Sequence, residues 1–561
     1  MTLVMGIRRK DKNHTESDSS DSKQRGIREI KIMRLAHYCF LSLFLVCLFG
    51  KGSGLAQEDC QSCHKTFQSS CGLSCTDCHN SPNADFLPAE KDHPRVIRNP
   101  SRPRWWAEKC VFCHQKEIEN FRYDPHYANE DIIRQTRFLW GKTAVLKQES
   151  VPDEWKQLRA EGKTKGHSPA DLVDNLLAKK CMACHFDAPG KKNGSGRRRP
   201  AGCAACHVPL EQTTGKPLKG HRFQKKPDDT VCLTCHSGNR IGADYYGWFE
   251  HDYHKEYATP YGARPRFGAY QHRLAADVHQ KAGMRCLDCH TMNRHTDHSA
   301  SVKQCEDCHG GFYRPVAKKN AQTPLFKNSV IAHKDFHRQV SCSACHAQWS
   351  YQDYGLHLFL DESNHYDMWQ TVRWQGDAVV TDWLDSVAVQ QSEPLPNARS
   401  LNRLTGKISP GIWYQGWTFR RWDEPVLGVG RDGRFYIIRP MYQYYVTYVD
   451  SADNLWLDSV IPEKQDATPG WSWDVYVPHT VGKTGRACES CHGNAKAAGL
   501  GIRQSIVDSA AHFITLPSPP IEDSIRLLTP DEQKRLLIKS KEYKKERSRA
   551  FRRQGIEQLF K

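Results

Sequence analysis

Cys286-Leu287-Asp288-Cys289-His290 is followed after fourteen residues by Cys305-Glu306-Asp307-Cys308-His309, and after a further 32 by Cys342-Ser343-Ala344-Cys345-His346. The same five-residue unit recurs outward in both directions. Upstream stand Cys60/Cys63/His64, Cys75/Cys78/His79, Cys110/Cys113/His114, Cys181/Cys184/His185, Cys203/Cys206/His207 and Cys232/Cys235/His236, and downstream Cys488/Cys491/His492. These ten copies use twenty of the 23 cysteines in the 561-residue chain, leaving Cys39, Cys47 and Cys71. Such clustering excludes a disulfide-stapled scaffold, and a mean hydropathy of −0.69 excludes a polytopic membrane protein.

Two thiols three positions apart on a helical turn can each add to a vinyl group of one haem. The imidazole that follows then faces the iron from the proximal side. A zinc ribbon, the competing reading of any single unit, would gather Cys-x-x-Cys pairs into four-ligand sets and has no use for a histidine after each one. Ten covalently attached haem c groups are therefore expected, held by the twenty cysteines and ligated by the ten motif histidines.

Residues 1–56 read as a signal peptide: a charged lead-in, Met33-Arg34, an apolar run from Leu35 to Phe49 and a small-residue end at Ala56. Met33 fits the true start, because 33–56 alone has the basic beginning, apolar centre and small-residue end of a leader. The alternative is an uncleaved anchor, but fifteen apolar residues at about 1.5 Å each cover about 22 Å of a hydrocarbon core about 30 Å thick. Membrane attachment is expected only through that segment. Cleavage leaves Cys71 without a disulfide partner; a buried thiol, an alternative attachment thiol and a ligand to the second haem stay open for it.

The formal net charge of +17 includes ten Lys/Arg and five Asp/Glu within residues 1–56, so the remainder is near +12. Each ferric haem sets two propionates against one residual positive charge, which brings the holoprotein close to mildly basic, and no nucleic-acid partner is indicated.

Nine motifs fall within residues 57–346, about 32 residues per haem. So dense a region is expected to use porphyrin faces as its core, with short α-helices and loops around a chain of haems and little sheet. Its proximal histidines group as 64, 79, 114, then 185, 207, 236, then 290, 309, 346, the pattern of three trihaem modules or of chance spacing. Residues 347–487 hold no motif but ten of the fifteen tryptophans. Strands are expected there at Arg434–Ile438, Met441–Val449 and Leu455–Val460, with Gly430-Arg431-Asp432-Gly433 as a hairpin turn, making a small β-containing insert. The tenth-haem segment spans 488–520. In 521–561, Thr529-Pro530-Asp531-Glu532 opens a charged terminal helix expected to run to about Phe560, either solvated or reaching a partner.

What fills the second axial position of each iron separates electron carriage from chemistry. Outside the motifs and the leader stand sixteen histidines, enough for bis-histidine ligation at ten haems. The candidate distal ligands are His93, His126, His221, His254, His279, His298, His333, His337 and His479. His279 and His298 each precede a motif's first cysteine by seven residues and His337 by five, too close to reach across their own haem, so they are expected to ligate neighbouring ones.

Cys110-Val-Phe-Cys113-His114 followed by Glu117-Ile-Glu-Asn-Phe-Arg-Tyr-Asp-Pro-His126 is similar to the motif-then-distal-histidine arrangement of the group containing pentahaem nitrite reductase and hydroxylamine oxidoreductase. With its ten motifs the chain resembles the multihaem c-type cytochrome superfamily, and the resemblance makes His126 a distal ligand. No Cys-x-x-Cys-Lys occurs, which sets the chain apart from the nitrite reductases, and no tyrosine stands out for the cross-link of the hydroxylamine enzymes.

Two functions follow. One is an exported decahaem cytochrome, periplasmic or at the cell surface, passing electrons between redox partner proteins such as other cytochromes or a quinol-side donor; an oligomer is compatible with it. The other is a multihaem oxidoreductase with one open haem acting on a small nitrogen or sulfur compound, the insert enclosing the tenth iron with His479, Arg486, Tyr414 and Tyr476 lining the pocket. The haem count is directly testable. The intact mass of the holoprotein is expected to equal residues 57–561 plus ten haems, and replacing both cysteines of one motif by serine is expected to remove one haem mass.

Overall fold

The computed structural model describes residues 72–80, 96–97, 99–146, 153–160, 166–188, 200–210, 222–237, 242–250, 271–290, 302–309, 337, 339–352, 354–366, 378–390, 394–419, 422–423, 425–499, 502–504, 512–514, 525–537, 545, 548–549 and 552. Chain contacts divide it into two units, residues 1–67 with 74–76, and residues 68–73 with 77–561. Of the first, only 74–76 are described, where the Ser74 and Thr76 hydroxyls hydrogen-bond at 2.9 Å. Everything below concerns the second.

Helices begin where the sequence supplies caps. Ser168 and Asp171 form a capping box at the start of Pro169–Lys179, with proline at the first turn. Leu172, Val173, Leu176 and Leu177 recur on one face of that helix and are buried. They pack with Ile133, Leu139 and Trp140 from the region of Glu130–Leu139, with Trp155 and Leu158, and with Trp106, Phe121 and Tyr127. This is an ordinary apolar core, and it corrects the expectation that porphyrin must serve as core throughout the haem-bearing region. The reason is local length. His114 and Cys181 are separated by 66 residues, about twice the average allotment per haem, which is room for helices that pack on one another.

The aromatic insert completes that core. Its first sheet runs in the order Leu455–Val460, Tyr444–Val449, Tyr354–Asp361, Ile412–Phe419, with Tyr444–Val449 parallel to Tyr354–Asp361 and the other pairs antiparallel. Leu358, Leu360, Trp413, Val446 and Tyr448 from this sheet join the helical cluster, and Trp413 Nε1 donates to Asn175 Oδ1 at 2.8 Å. The second sheet runs Ser472–Val475, Phe435–Met441, Val426–Gly430, Ile525–Leu527, antiparallel throughout. The expected turn at 430–433 joins two of its strands, with Gly433 at φ +75°. The expected strand from Met441 instead starts at Tyr444: Met441 finishes the preceding strand, and Tyr442, at φ +56°, breaks the run where the chain changes sheets. The sequence reading missed the helix Ala378–Gln390, whose Val380, Leu384 and Val387 pack on Ile412 and Tyr414.

Ile525–Leu527 lies beyond the tenth motif yet pairs with Val426–Gly430, so that motif is bracketed by strands of one sheet. The tail helix has the expected capping box of Thr529 and Glu532 but ends at Leu536, with Leu537 at ψ 50°. Its last carbonyl is taken up by the tenth motif, since Leu536 O accepts from Gly493 N at 3.1 Å and His492 Nδ1 at 3.2 Å. The expected continuous run to Phe560 is thus interrupted; helical positions recur at 545, 548, 549 and 552, and the rest of that stretch lies outside the described residues. Among the described residues no helix is long and apolar enough to cross a membrane.

Leu172 is fully buried at the centre of the helical cluster. Leu172→Ala is expected to lower stability by about 2–5 kcal/mol, read by denaturant unfolding, with haem content and visible spectrum unchanged.

Candidate haem sites

The motif is a single helical turn at most of its described copies, among them Ala204–His207, Cys305–His309 and Cys342–His346. The histidine N–H bonds back to the first cysteine's carbonyl at 2.8 Å for His114, 3.0 Å for His207 and 2.9 Å for His290. This bond gathers two thiols and one imidazole on one turn. The ring's Nδ1 then faces a backbone carbonyl: Ile97 for His79 (2.6 Å), Gln224 for His207 (2.7 Å), Gly482 for His346 (3.3 Å) and Leu536 for His492. A carbonyl only accepts, so Nδ1 carries the proton and Nε2 keeps its lone pair for a metal. These residues fit a covalently held haem. Cys60, Cys63, His64, Cys71 and the Cys488 side chain lie outside the described residues.

The tenth motif departs from that form, which corrects the expectation that both attachment thiols of every motif share one helical turn. Its 3-10 turn covers Cys488–Ser490 and stops short of Cys491. The reason lies in the backbone bonds: Ser490 N closes a tight turn on Ala487 O at 3.0 Å, and the Cys491 carbonyl already accepts from Asn494 N at 3.4 Å, beginning the next turn. Cys491 is half-buried and packs against the apolar cluster of Ala347, Tyr351, Ile437 and Leu528, so its sulfur faces hydrocarbon on the protein side. A thiol behaves there as a small apolar group, and a thioether sulfur would do the same.

Among the described residues, four motif histidines face a second histidine. Ring centroids are 6.4 Å apart for His126 and His236, 6.1 Å for His279 and His309, 6.0 Å for His290 and His479, and 6.2 Å for His337 and His492. Two imidazoles bound to one metal at about 2 Å per nitrogen would have centroids about 6 Å apart, and four unrelated pairs share that spacing. Each partner comes from a sequence-distant position. Of the remaining candidates, His93, His221, His254, His298 and His333 lie outside the described residues. Three of the seven spare histidines not put forward as ligands have other surroundings: His167 stacks on Trp456 at 3.6 Å, His357 Nε2 bonds the Thr447 hydroxyl at 2.8 Å, and His365 lies 3.5 Å from Asp453.

A local pattern that the sequence reading overlooked positions two of the four. Asp124 and Asp277 are helix N-caps, and each accepts both the backbone N–H and the Nδ1–H of the histidine two residues on, His126 and His279, all at 2.8 Å. The Asp277 bond, followed by burial in the opposite direction, holds the His279 pKa above its ordinary value. His337 belongs to the same Asp-x-His pattern in sequence, as does His254. The fourth partner, His479, has Asp244 Oδ1 3.9 Å from its Nδ1 and Asp244 Oδ2 on its backbone N–H at 2.9 Å. Opposite it, burial and then the neighbouring His479 and His126 press the His290 pKa down, which favours an unprotonated ring.

The thiols trace an order. Burial pushes Cys110 up to about 11, with Cys78 adding to the rise, and pushes Cys203 up to about 12, with Cys110 next in weight. Cys232 is raised by its hydrogen bond to Cys286, and further by Cys206. Cys289 is raised by burial and then by Cys308, while Cys305 is raised by its hydrogen bond to Cys342. Motifs two, three, five, six, seven, eight and nine are therefore neighbours in that sequence. Cys235 Sγ donates to Cys184 O at 3.4 Å, setting motif four beside motif six, and Arg486 N donates to Cys345 O at 2.7 Å just before motif ten. Beside motifs six and seven opens a cleft lined by Asp229, Tyr246, Trp248 and Arg285, and Asp229 accepts from Cys286 N at 3.1 Å.

Of the residues expected to line a pocket over the tenth iron, His479 and Tyr414 are turned to other parts of the described structure. His479 faces motif seven, Tyr476 is buried with its hydroxyl on Asp244, Arg486 adjoins motif nine, and Tyr414 packs in the cluster of Val380 and Leu384.

Residues 278–355 match the family model described as cytochrome c3. The match spans motifs seven to nine with His279 and His337, and it supports a multihaem electron-transfer cytochrome with covalently bound haem c. No curated protein and no solved structure gave a significant match to the chain.

Asp277 also accepts from Val481 N at 2.8 Å through its other oxygen. Asp277→Asn removes the charge behind His279, and such partners are typically worth about 10–100-fold in metal affinity. The expected result is a raised midpoint potential for one haem with the haem count unchanged, measured by redox titration followed by electron paramagnetic resonance.

Proposed function

We propose that this is an exported decahaem c-type cytochrome that moves electrons along a continuous haem chain, in anaerobic respiration or extracellular electron transfer, between protein redox partners. The observation that carries this reading is the set of four histidine pairs at 6.0–6.4 Å, each joining a motif histidine to one from elsewhere in the chain. Iron held by two imidazoles is six-coordinate and has no position free for substrate, which suits carriage of electrons.

On this reading His126, His279, His479 and His337 are the distal ligands of haems six, eight, seven and ten. The haems run two, three, five, six, seven, eight, nine, ten, with haem four beside haem six. Haem ten is attached through Cys488 and Cys491, the latter from the apolar side of its site. Cross-ligation supports a rigid chain, since a histidine that precedes motif seven serves haem eight and one that precedes motif nine serves haem ten. Export is supported by the leader pattern ending at Ala56 and by the chemistry of covalent haem.

Single replacements His126→Ala and His279→Ala test the assignment. Each is expected to convert one haem from low-spin to high-spin in the ferric protein, by electron paramagnetic resonance, with all thioether-linked haems retained. An unchanged spectrum in both variants would overturn the ligand scheme.

A further inference from the structure

His479 is held by a different device from the Asp-x-His pairs. Asp124 and Asp277 grip the Nδ1 of His126 and His279 at 2.8 Å from two residues away. Asp244 stands 235 residues before His479, and its Oδ1 is 3.9 Å from the ring nitrogen. The carboxylate is fully buried, and other donors occupy it. Oδ1 accepts from Gly242 N at 2.9 Å, while Oδ2 accepts from the His479 backbone N–H at 2.9 Å and from the Tyr476 hydroxyl. Asp244 therefore holds the backbone of His479 and leaves its ring at arm's length.

Both sides of this contact are fixed. Asp244 lies in the turn Ala243–Tyr246, where the Tyr245 hydroxyl donates to Met284 O at 2.8 Å and the Tyr246 hydroxyl to Asp229 Oδ2 at 2.7 Å. The turn is thus tied to the approaches of motifs six and seven. On the other side, Tyr476 N donates to Ile437 O at 2.8 Å and Val481 N to Asp277 Oδ2 at 2.8 Å, which pins the chain before and after His479. The Tyr476 ring is buried under the Arg439 guanidinium, 4.6 Å from its centroid. Burial, and then the Asp244 charge, hold the Tyr476 pKa far above its ordinary value, so the phenol keeps its proton and donates to the carboxylate.

We propose that Tyr476 is a positioning residue for His479: acting through Asp244, its hydroxyl holds the buried carboxylate back from the ring and keeps the potential of haem seven higher than a gripped ring would give. The proposal rests on the reading of His479 as the distal ligand of haem seven. A carboxylate bonded to Nδ1 makes an imidazole more electron-donating, which favours the ferric state. A hydroxyl donor draws charge off that carboxylate and fixes the direction of its lone pairs. Without the hydroxyl, Oδ2 regains a lone pair and more of its charge beside the ring, and the ferric state gains.

The test uses the full holoprotein and four variants, Tyr476→Phe, Asp244→Asn, the two combined, and His479→Ala. Midpoint potentials are read by redox titration followed by electron paramagnetic resonance, and haem content by intact mass. His479→Ala should turn one low-spin ferric signal high-spin, and that signal marks haem seven. If no low-spin signal is lost, the ligand reading fails and the proposal falls with it. Once the signal is marked, Tyr476→Phe should lower the midpoint of that haem, and Asp244→Asn should raise it, with every haem attached and low-spin. In the Asp244→Asn background, Tyr476→Phe should shift nothing further, because the two residues act as one unit. An unchanged or raised midpoint in Tyr476→Phe overturns the proposal and leaves the ligand reading intact. An equal shift with and without the Asp244 carboxylate overturns it too, since the tyrosine would then act by packing or solvent access. If Tyr476→Phe fails to fold, Asp244→Asn decides, and a midpoint that does not rise overturns the proposal.

Discussion

An imidazole can give its lone pair to iron only through a nitrogen that bears no proton, and the architecture depends on how the opposite nitrogen is held. Carbonyls from four sequence-distant segments, around 97, 224, 482 and 536, hold motif rings by Nδ1. Two aspartates at helix starts do the same for facing histidines. The loops between motifs are therefore not filler, because each of these contacts fixes a ring's direction. The insert and the tail serve that purpose too, Gly482 reaching His346 from the edge of one and Leu536 reaching His492 from the other.

Much of this was legible in the sequence. The motif spacing alone implied thioether-linked haem, and counting histidines implied a second imidazole for most irons. The difficulty of reaching across one's own haem implied that His279 and His337 serve neighbours, and the structure sets them against His309 and His492. The Asp-x-His signal was present but not read, because an aspartate two residues before a histidine looks like an ordinary cap until its second bond is seen. His185 and Cys491 show the opposite limit. Their motifs are identical in pattern to the others, and only the packing of Trp155, Phe186 and the Tyr127 carbonyl around the His185 ring shows that it sits inside the aromatic core. Likewise, only the turn that ends at Ser490 sets the Cys491 thiol apart from its partner.

The fold of the insert was read less well for a related reason. Its hairpins were visible as local alternation and turn residues, whereas the parallel pairing of Tyr354–Asp361 with Tyr444–Val449 joins segments more than eighty residues apart and leaves no local trace. Packing of that sheet on the helix Pro169–Lys179 gives the haem-bearing region a conventional core, with Lys179 donating to the Gly411 carbonyl and Arg403 N to the Ala178 carbonyl. Stability and haem binding are thereby partly separated, since residues 106–186 have apolar partners of their own.

The strand Ile525–Leu527 gives the chain a built-in order of assembly. Until it arrives, Val426–Gly430 is an unpaired edge whose N–H and C=O groups are open to any other strand, the ordinary route to association between chains. It also follows all ten motifs along the chain, and its place in the sheet brackets the tenth. A chain stopped short of residue 525 would carry every haem-attachment sequence and still present an adhesive edge.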